Sequence, residues 1–202
     1  DALATKKVGM TRTEILQATK LTDNGKLTEY LENLEYCGFI RKYNCIGMKA
    51  KNALFQLMDN YTLFYYKFIK DSYINDAQYW TKITGKPEYN TWCGLAFERV
   101  CLQHVEQIKA KLGIQGVITT VHSWSVAGSK EKSGAQIDLL IDRNDDVINL
   151  CEIKYSKAPY QITNTIDASL QNKRERFIQE TGTEKAVHLT MITTMGLSDN
   201  PY

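Results

Sequence analysis

Glu98, Asp138, Glu152 and Lys154 occupy positions where solvent-seeking groups are out of place. The stretch around Glu98 has helical periodicity. At about 100° per residue, Leu95, Leu102, Val105 and Leu112 lie within about 60° of it, so the carboxylate falls near the middle of an apolar face. Buried and unpaired, such a group is costly, so it needs a cation, a proton or hydrogen-bond donors. Asp138 interrupts the run Ile137-Asp138-Leu139-Leu140-Ile141, and Glu152 and Lys154 interrupt Leu150-Cys151-Glu152-Ile153-Lys154. Strand alternation puts Glu152 and Lys154 on one face. A three- or five-residue hairpin loop centred on Asp145 sets Asp138 opposite Glu152, whereas a two-residue loop pairs Asp138 with Cys151 and turns its carboxylate away. Two carboxylates side by side repel unless something positive lies between them. Hard oxygen ligands select Mg²⁺ or Mn²⁺ over zinc. An ion held by Asp138, Glu152 and the Ile153 carbonyl, with Glu98 as an additional or outer-sphere ligand, would polarise a phosphodiester and acidify its water. Lys154 would orient that water and offset developing negative charge. The plainer alternative is an Asp–Lys or Glu–Lys ion pair on a solvated sheet face, and E-x-K alone recurs by chance.

The elements that must position these groups follow from periodicity. The second half reads as a helix over residues 92–112, strands over 117–126, 135–142 and 147–155, a helix over 165–180 closed by Thr181-Gly182, and a strand over 186–193. Asn144-Asp145-Asp146 marks the hairpin. Thr84-Gly85-Lys86-Pro87 separates this half, residues 87–202, from a differently patterned one, residues 1–86. There Thr11-x-x-Glu14 reads as a capping box before Ile15, Leu16 and Ala18. A second helix follows Asp23-Asn24-Gly25, with Leu27, Tyr30, Leu31 and Leu34 on one face and Gly38 as its C′ glycine. Strands over 39–43 and 54–58 flank a basic turn, Met48-Lys49-Ala50-Lys51. Helix, turn, helix and two-stranded wing is the order of a winged helix. Tyr61, Phe64, Tyr65 and Phe68 then form a helical aromatic stripe, read as core or an interdomain seam.

Composition sets the bounds. The 202 residues are 43% hydrophobic and 24% charged, which excludes disorder and collagen-like structure. No run of eighteen apolar residues and no signal-peptide h-region occurs, so the chain is not expected to meet a membrane. Five cysteines without a C-x-x-C pair argue against a disulfide framework or zinc knuckle and for a reducing cytoplasm. The net charge of +2 is too small to announce a nucleic-acid binder. It is uneven, with 13 Lys and Arg against 9 Asp and Glu in residues 1–86, and 12 against 14 in residues 87–202.

Phe97-Glu98-Arg99, Gly134-Ala135-Gln136-Ile137-Asp138 and Cys151-Glu152-Ile153-Lys154 together resemble the PD-(D/E)XK nuclease superfamily, the restriction-endonuclease-like fold. The order of elements over residues 90–195 resembles its αβββαβ core. The resemblance implies metal ligands at Glu98, Asp138 and Glu152 and a catalytic lysine at Lys154. The proline that often precedes the aspartate is replaced here by Gln136-Ile137. Leu31-x-x-Leu34-x-x-x-Gly38-Phe39-Ile40, Leu54-Phe55-Gln56-Leu57-Met58-Asp59 and Leu63-Phe64-Tyr65-Tyr66-Lys67-Phe68 resemble the region after the motor in prokaryotic and archaeal AAA+-type ATPases. Those proteins join a P-loop ATPase, a winged helix and a restriction-endonuclease-like domain. The chain has no P-loop of its own: Gly128-Ser129-Lys130 lacks the preceding glycine spacing. It begins at Asp1 rather than Met and is read as the C-terminal part of a longer protein, with the upstream ATPase as a partner in the same polypeptide and no ATP hydrolysis of its own.

The expected fold class is thus α/β (α+β), a winged helix-turn-helix followed by a domain with a central mixed sheet. The expected function is Mg²⁺- or Mn²⁺-dependent cleavage of DNA, and the alternatives are a non-cleaving DNA- or protein-binding regulatory module and, more weakly, a transcription regulator. The second helix carries Asp23, Glu29, Glu32 and Glu35 where a recognition helix would meet phosphates, which is repulsive. Backbone contact falls instead to Arg41, Lys42, Lys49 and Lys51 on the wing and to Lys173 and Arg174 on the late helix. Ser156-Lys157 lies at the end of the third strand, near the same cleft. His104, His122 and His188 have no ligand spacing, and Trp80, Trp92 and Trp124 read as packing.

Overall fold

A computed structural model describes residues 1–46, 52–70, 76–128 and 133–199. The chain is mixed α and β and divides into two compact units, Asp1–Thr84 and Gly85–Tyr202.

In the first unit a 3-10 turn, Ala2–Thr5, precedes β1 (Met10–Thr11), α1 (Arg12–Thr19), α2 (Gly25–Tyr36), β2 (Ile40–Tyr43) and β3 (Leu54–Leu57). The local signals act as their chemistry requires. The Thr11 hydroxyl accepts from the Glu14 amide while the Glu14 carboxylate accepts from the Thr11 amide, completing the capping box. Asn24 caps α2 through the Leu27 amide. At its other end Gly38 takes φ +76°, its amide bonds Glu35 O and the Phe39 amide bonds Leu34 O, the paired bonds of a Schellman motif. The sheet has three strands in the order β1-β3-β2 rather than the two expected. The additional strand is only two residues long, too short to carry a period. Met10, Ile15, Leu27, Leu31, Ile40, Phe55 and Leu57 form the core.

The aromatic stripe is divided by exposure. Helix α3 (Asn60–Phe64) passes into one π-helical turn, Tyr65–Ile69. Phe64 and Phe68 each pack edge-on against Trp80 of α4 (Tyr79–Ile83), at 5.0 and 5.4 Å between ring centroids, whereas Tyr61 and Tyr65 are exposed.

Lys20 ends α1 at φ +57°, a left-handed conformation that burdens any side chain bearing a Cβ. Lys20→Gly is expected to raise stability by about 0.5–1 kcal/mol, after allowing for the greater freedom of glycine in the unfolded chain. The midpoint of urea unfolding checks it.

In the second unit α5 (Pro87–Gln103) and α6 (Val105–Lys111) precede β4 (Thr119–Val126), β5 (Ala135–Arg143), β6 (Val147–Lys154), α7 (Asn164–Thr181) and β7 (Ala186–Thr193). The sheet order is β4-β5-β6-β7, antiparallel except for the parallel β6–β7 pair. Two expectations are corrected. Pro87 opens α5 at its first turn, where its missing N–H costs nothing, so the helix starts five residues before the expected 92. The single expected helix is also broken at His104. The ring Nδ1 lies 2.7 Å from the Val100 carbonyl, and the His104 amide bonds Cys101 O instead of that carbonyl. Leu112 consequently lies beyond the helix and is exposed.

Leu139, Leu140 and Ile141 are consecutive and fully buried, so β5 is covered on both faces. Leu139, Ile141 and Cys151 pack with Leu102, Val105 and Ile108 of α5 and α6. Phe177 of α7, itself fully buried, meets Trp124 edge-on at 5.4 Å.

Candidate functional site

The β5–β6 connection is the three residues Asn144, Asp145 and Asp146, the last at φ +60°. A three-residue hairpin loop uses such a left-handed residue to return the chain. Arg143 pairs with the Asp145 carboxylate across the turn. The loop length fixes the register: Asp142 faces Ile148, Leu140 faces Leu150 and Leu139 faces Cys151. The paired ladder ends at Leu139 and Cys151; continued by one residue, the same register would face Asp138 with Glu152, the arrangement an odd-numbered loop predicts. On its other side β5 slips by one residue against β4 between His122 and Trp124, so Asp138 lies in an irregular stretch of the ladder. Such bulges redirect side chains.

Because Cys151 packs under α5 and α6, alternation sends Glu152 and Lys154 to the opposite face, where α7 lies. There each oxygen of Glu152 meets an ammonium: Lys154 Nζ is 2.7 Å from Oε1 and Lys173 Nζ 2.7 Å from Oε2. The Glu152 side chain is only 13% exposed, and that of Lys154 is 41% exposed. Burial pushes the Glu152 carboxyl up, but the two lysines outweigh it and hold its pKa below the ordinary carboxylate range. Burial likewise pushes Lys154 down, and its hydrogen bond and charge pairing with Glu152, helped by Tyr160 and Asp138, more than restore it, leaving its pKa raised. Asp138 accepts from Gln136 Nε2 at 2.5 Å.

A depressed carboxyl pKa has one sign of consequence. The stability that ionised Glu152 contributes is complete above the ordinary carboxylate range and is lost as pH falls through its lowered folded value. Thermal melts of the wild type are expected to fall more steeply than those of Glu152→Gln on acidification through and below that range.

Glu98 is buried on α5, as its place on the apolar face predicts. Next to it Arg99 is 3% exposed and donates to Leu95 O at 3.1 Å. Burial pushes the Arg99 guanidinium down, and the charges of Glu98 and Asp138 oppose that shift. Glu98 also adds to the burial that drives the Cys101 thiol up to about 11. The three expected metal ligands are not drawn into one cage: among the described residues no group of three or more His, Cys, Asp and Glu is placed to hold a metal ion. The structure pairs Glu152 with Lys154 and Lys173, sets Asp138 within electrostatic reach of Lys154 and of Arg99, and places Glu98 beside Arg99. Two hard oxygen donors on adjacent strands are the chemistry a hard divalent cation takes, but both oxygens of Glu152 already meet ammonium groups, so Asp138, Glu152 and the Ile153 carbonyl would hold such an ion only with one of those ammoniums displaced.

Of the residues expected to contact nucleic acid, Lys173 is the second partner of Glu152, and Arg174 beside it is half-buried. Arg41 donates through Nε to the buried Gln56 at 2.7 Å and lies over the Tyr43 ring at 4.2 Å. Lys42 is exposed, with Nζ 5.9 Å from the Phe55 ring centroid. Lys49 and Lys51 lie outside the described residues. His104 and His122 make local contacts, to Val100 O and to Thr120 Oγ1. Sequence reasoning missed Arg99 and Gln136 as neighbours of the carboxylates and Tyr160 as a neighbour of Lys154. Two of them were findable: Gln136 stands two residues before Asp138 on the same strand face, and Arg99 directly follows Glu98 on a helix turned inward.

Among the described residues no helix is long and apolar enough to cross a membrane. No curated protein and no solved structure matches the chain. A family model described as archaeal and bacterial proteins of unknown function (DUF234) matches residues 61–174, more than half of the chain and a span containing Glu98, Asp138, Glu152, Lys154 and Lys173. The chain belongs to that family.

Proposed function

We propose that the second unit is a restriction-endonuclease-like, PD-(D/E)XK-type module that hydrolyses phosphodiesters in DNA with Mg²⁺ or Mn²⁺. The supporting observation is the three-residue β5–β6 loop and its register, Leu139 opposite Cys151, which continued by one residue would face Asp138 with Glu152, together with the Glu152–Lys154 contact on one strand face. The order α5–α6, β4, β5, β6, α7, β7 agrees with the αβββαβ core of that fold. A bound ion would supply Lewis acidity toward a phosphate oxygen and a more acidic water. Asp138, Glu152 and the Ile153 carbonyl would hold that ion. Lys154, the more exposed of the two lysines on Glu152, orients the attacking water and offsets charge at the phosphate. Glu98 would be an additional or outer-sphere ligand, and its charge and that of Asp138 both act on Arg99.

The first unit is a winged helix. Its strand order β1-β3-β2 and the succession α1, α2, β2, β3 support this. Glu29, Glu32 and Glu35 are exposed on α2, so its role is to couple the nuclease module to an ATPase in the same polypeptide rather than to read bases. The test is nicking of supercoiled plasmid with Mg²⁺ or Mn²⁺, with EDTA and Asp138→Asn as controls. Metal-dependent nicking that the variant loses is the expected result.

A second reading, a regulatory module that binds DNA or protein without cutting, is favoured by one observation: both oxygens of Glu152 are already satisfied by lysines. A folded protein that cuts neither duplex, single-stranded nor branched DNA would select it.

A further inference from the structure

Lys173 comes from α7, twenty-one residues away from Glu152, and its Nζ is 2.7 Å from Glu152 Oε2. Its side chain is 21% exposed, half as exposed as that of Lys154. At this contact one carboxylate, Glu152, already faces two ammonium groups, Lys154 and Lys173, and Asp138 lies within electrostatic reach of Lys154. A divalent cation added beside them would meet both ammonium charges at short range, in a setting where Glu152 is largely shielded from water and like charges repel strongly.

We infer that Lys173 occupies the cation's place on Glu152, and that a divalent ion enters only as Lys173 swings away to a phosphate of the nucleic acid. This rests on the metal-site reading above. A lysine suits the exchange because its ammonium is a compact charge on a flexible four-carbon stem. The phosphodiester supplies the negative charge that the incoming ion requires and gives the displaced ammonium a new partner. Metal and nucleic acid therefore bind as a linked pair. By linkage each raises the affinity for the other by the same factor. Lys173 is a positioning residue in this account, acting through Glu152.

Mn²⁺ titration of the chain, followed by calorimetry or by the electron paramagnetic resonance signal of free Mn²⁺, reads this without any turnover. Without DNA, Lys173→Gln is expected to bind Mn²⁺ about 10-fold more tightly than wild type, and Lys173→Arg no more tightly than wild type. In wild type, a phosphorothioate duplex that resists cleavage is expected to tighten Mn²⁺ binding about 10-fold, a measurement that needs no variant. If Lys173→Gln binds Mn²⁺ no better than wild type, or the duplex leaves the wild-type affinity unchanged, while Glu152→Gln abolishes binding, the role of Lys173 is overturned and the metal site stands. If Glu152→Gln and Asp138→Asn bind Mn²⁺ as wild type does, or no form binds it, the metal site falls and the role of Lys173 with it.

Discussion

Lys154→Met is expected to lower metal-dependent nicking of supercoiled plasmid by about 10²–10³-fold, the range for loss of one preorganised group that stabilises developing charge. Methionine retains most of the stem, and Glu152 keeps its second partner, Lys173, at 2.7 Å, so the fold is expected to survive. The variant separates two roles. Mn²⁺ binding persists in Lys154→Met because both carboxylates remain, whereas Asp138→Asn loses nicking and metal binding together. Combining the two substitutions should cost little more than Asp138→Asn alone, because residues that act as a unit are not additive. Nicking by Lys154→Met at the wild-type rate would remove the lysine from the proposed chemistry.

The second large effect concerns stability. Phe177 is fully buried beneath α7 and stands edge-on to Trp124. Phe177→Ala is expected to destabilise the chain by about 3–5 kcal/mol, the transfer loss plus the cavity left behind. For a unit of this size that corresponds to a fall of roughly 10–20 °C in melting temperature. Trp124 is 4% exposed, so its fluorescence reports the loss of packing directly as a shift to longer wavelength. One helical turn separates Phe177 from Lys173, so the same aromatic anchor that holds α7 on the sheet also holds Lys173 against Glu152. Melts that move by less than 1 kcal/mol equivalent would show that α7 is fixed by other contacts.

Elements whose cause is local were readable in the sequence. The capping box at Thr11 and Glu14, the Gly38 terminus of α2 and the final strand Ala186–Thr193 each depend on residues within one or two turns of chain. The β5–β6 register, with Leu139 opposite Cys151, was readable for the same reason, since it follows from loop length and alternation alone. What escaped was decided by tertiary partners or by geometry below the length of a period. The break at His104 arises when a ring nitrogen takes up a carbonyl that the backbone would otherwise use, and β1 is two residues long. Lys173 was expected to face phosphates because its own helix shows a basic run, Lys173-Arg174-Glu175-Arg176. Its attachment to Glu152 depends on where α7 crosses the sheet, which no local pattern encodes.

The turn at Asn144–Asp146 works as a parity lock. Side chains alternate with period two, so a slip of the β5–β6 pairing by a single residue exchanges the inward and outward sets of one strand relative to the other. A slip that tightened the loop to two residues would bring Cys151 opposite Asp138, and one that widened it to four would bring Ile153 there, while every residue of the constellation was still encoded. Substitutions at Asn144–Asp146 that favour another turn can therefore dismantle the carboxylate pair without altering either of its members.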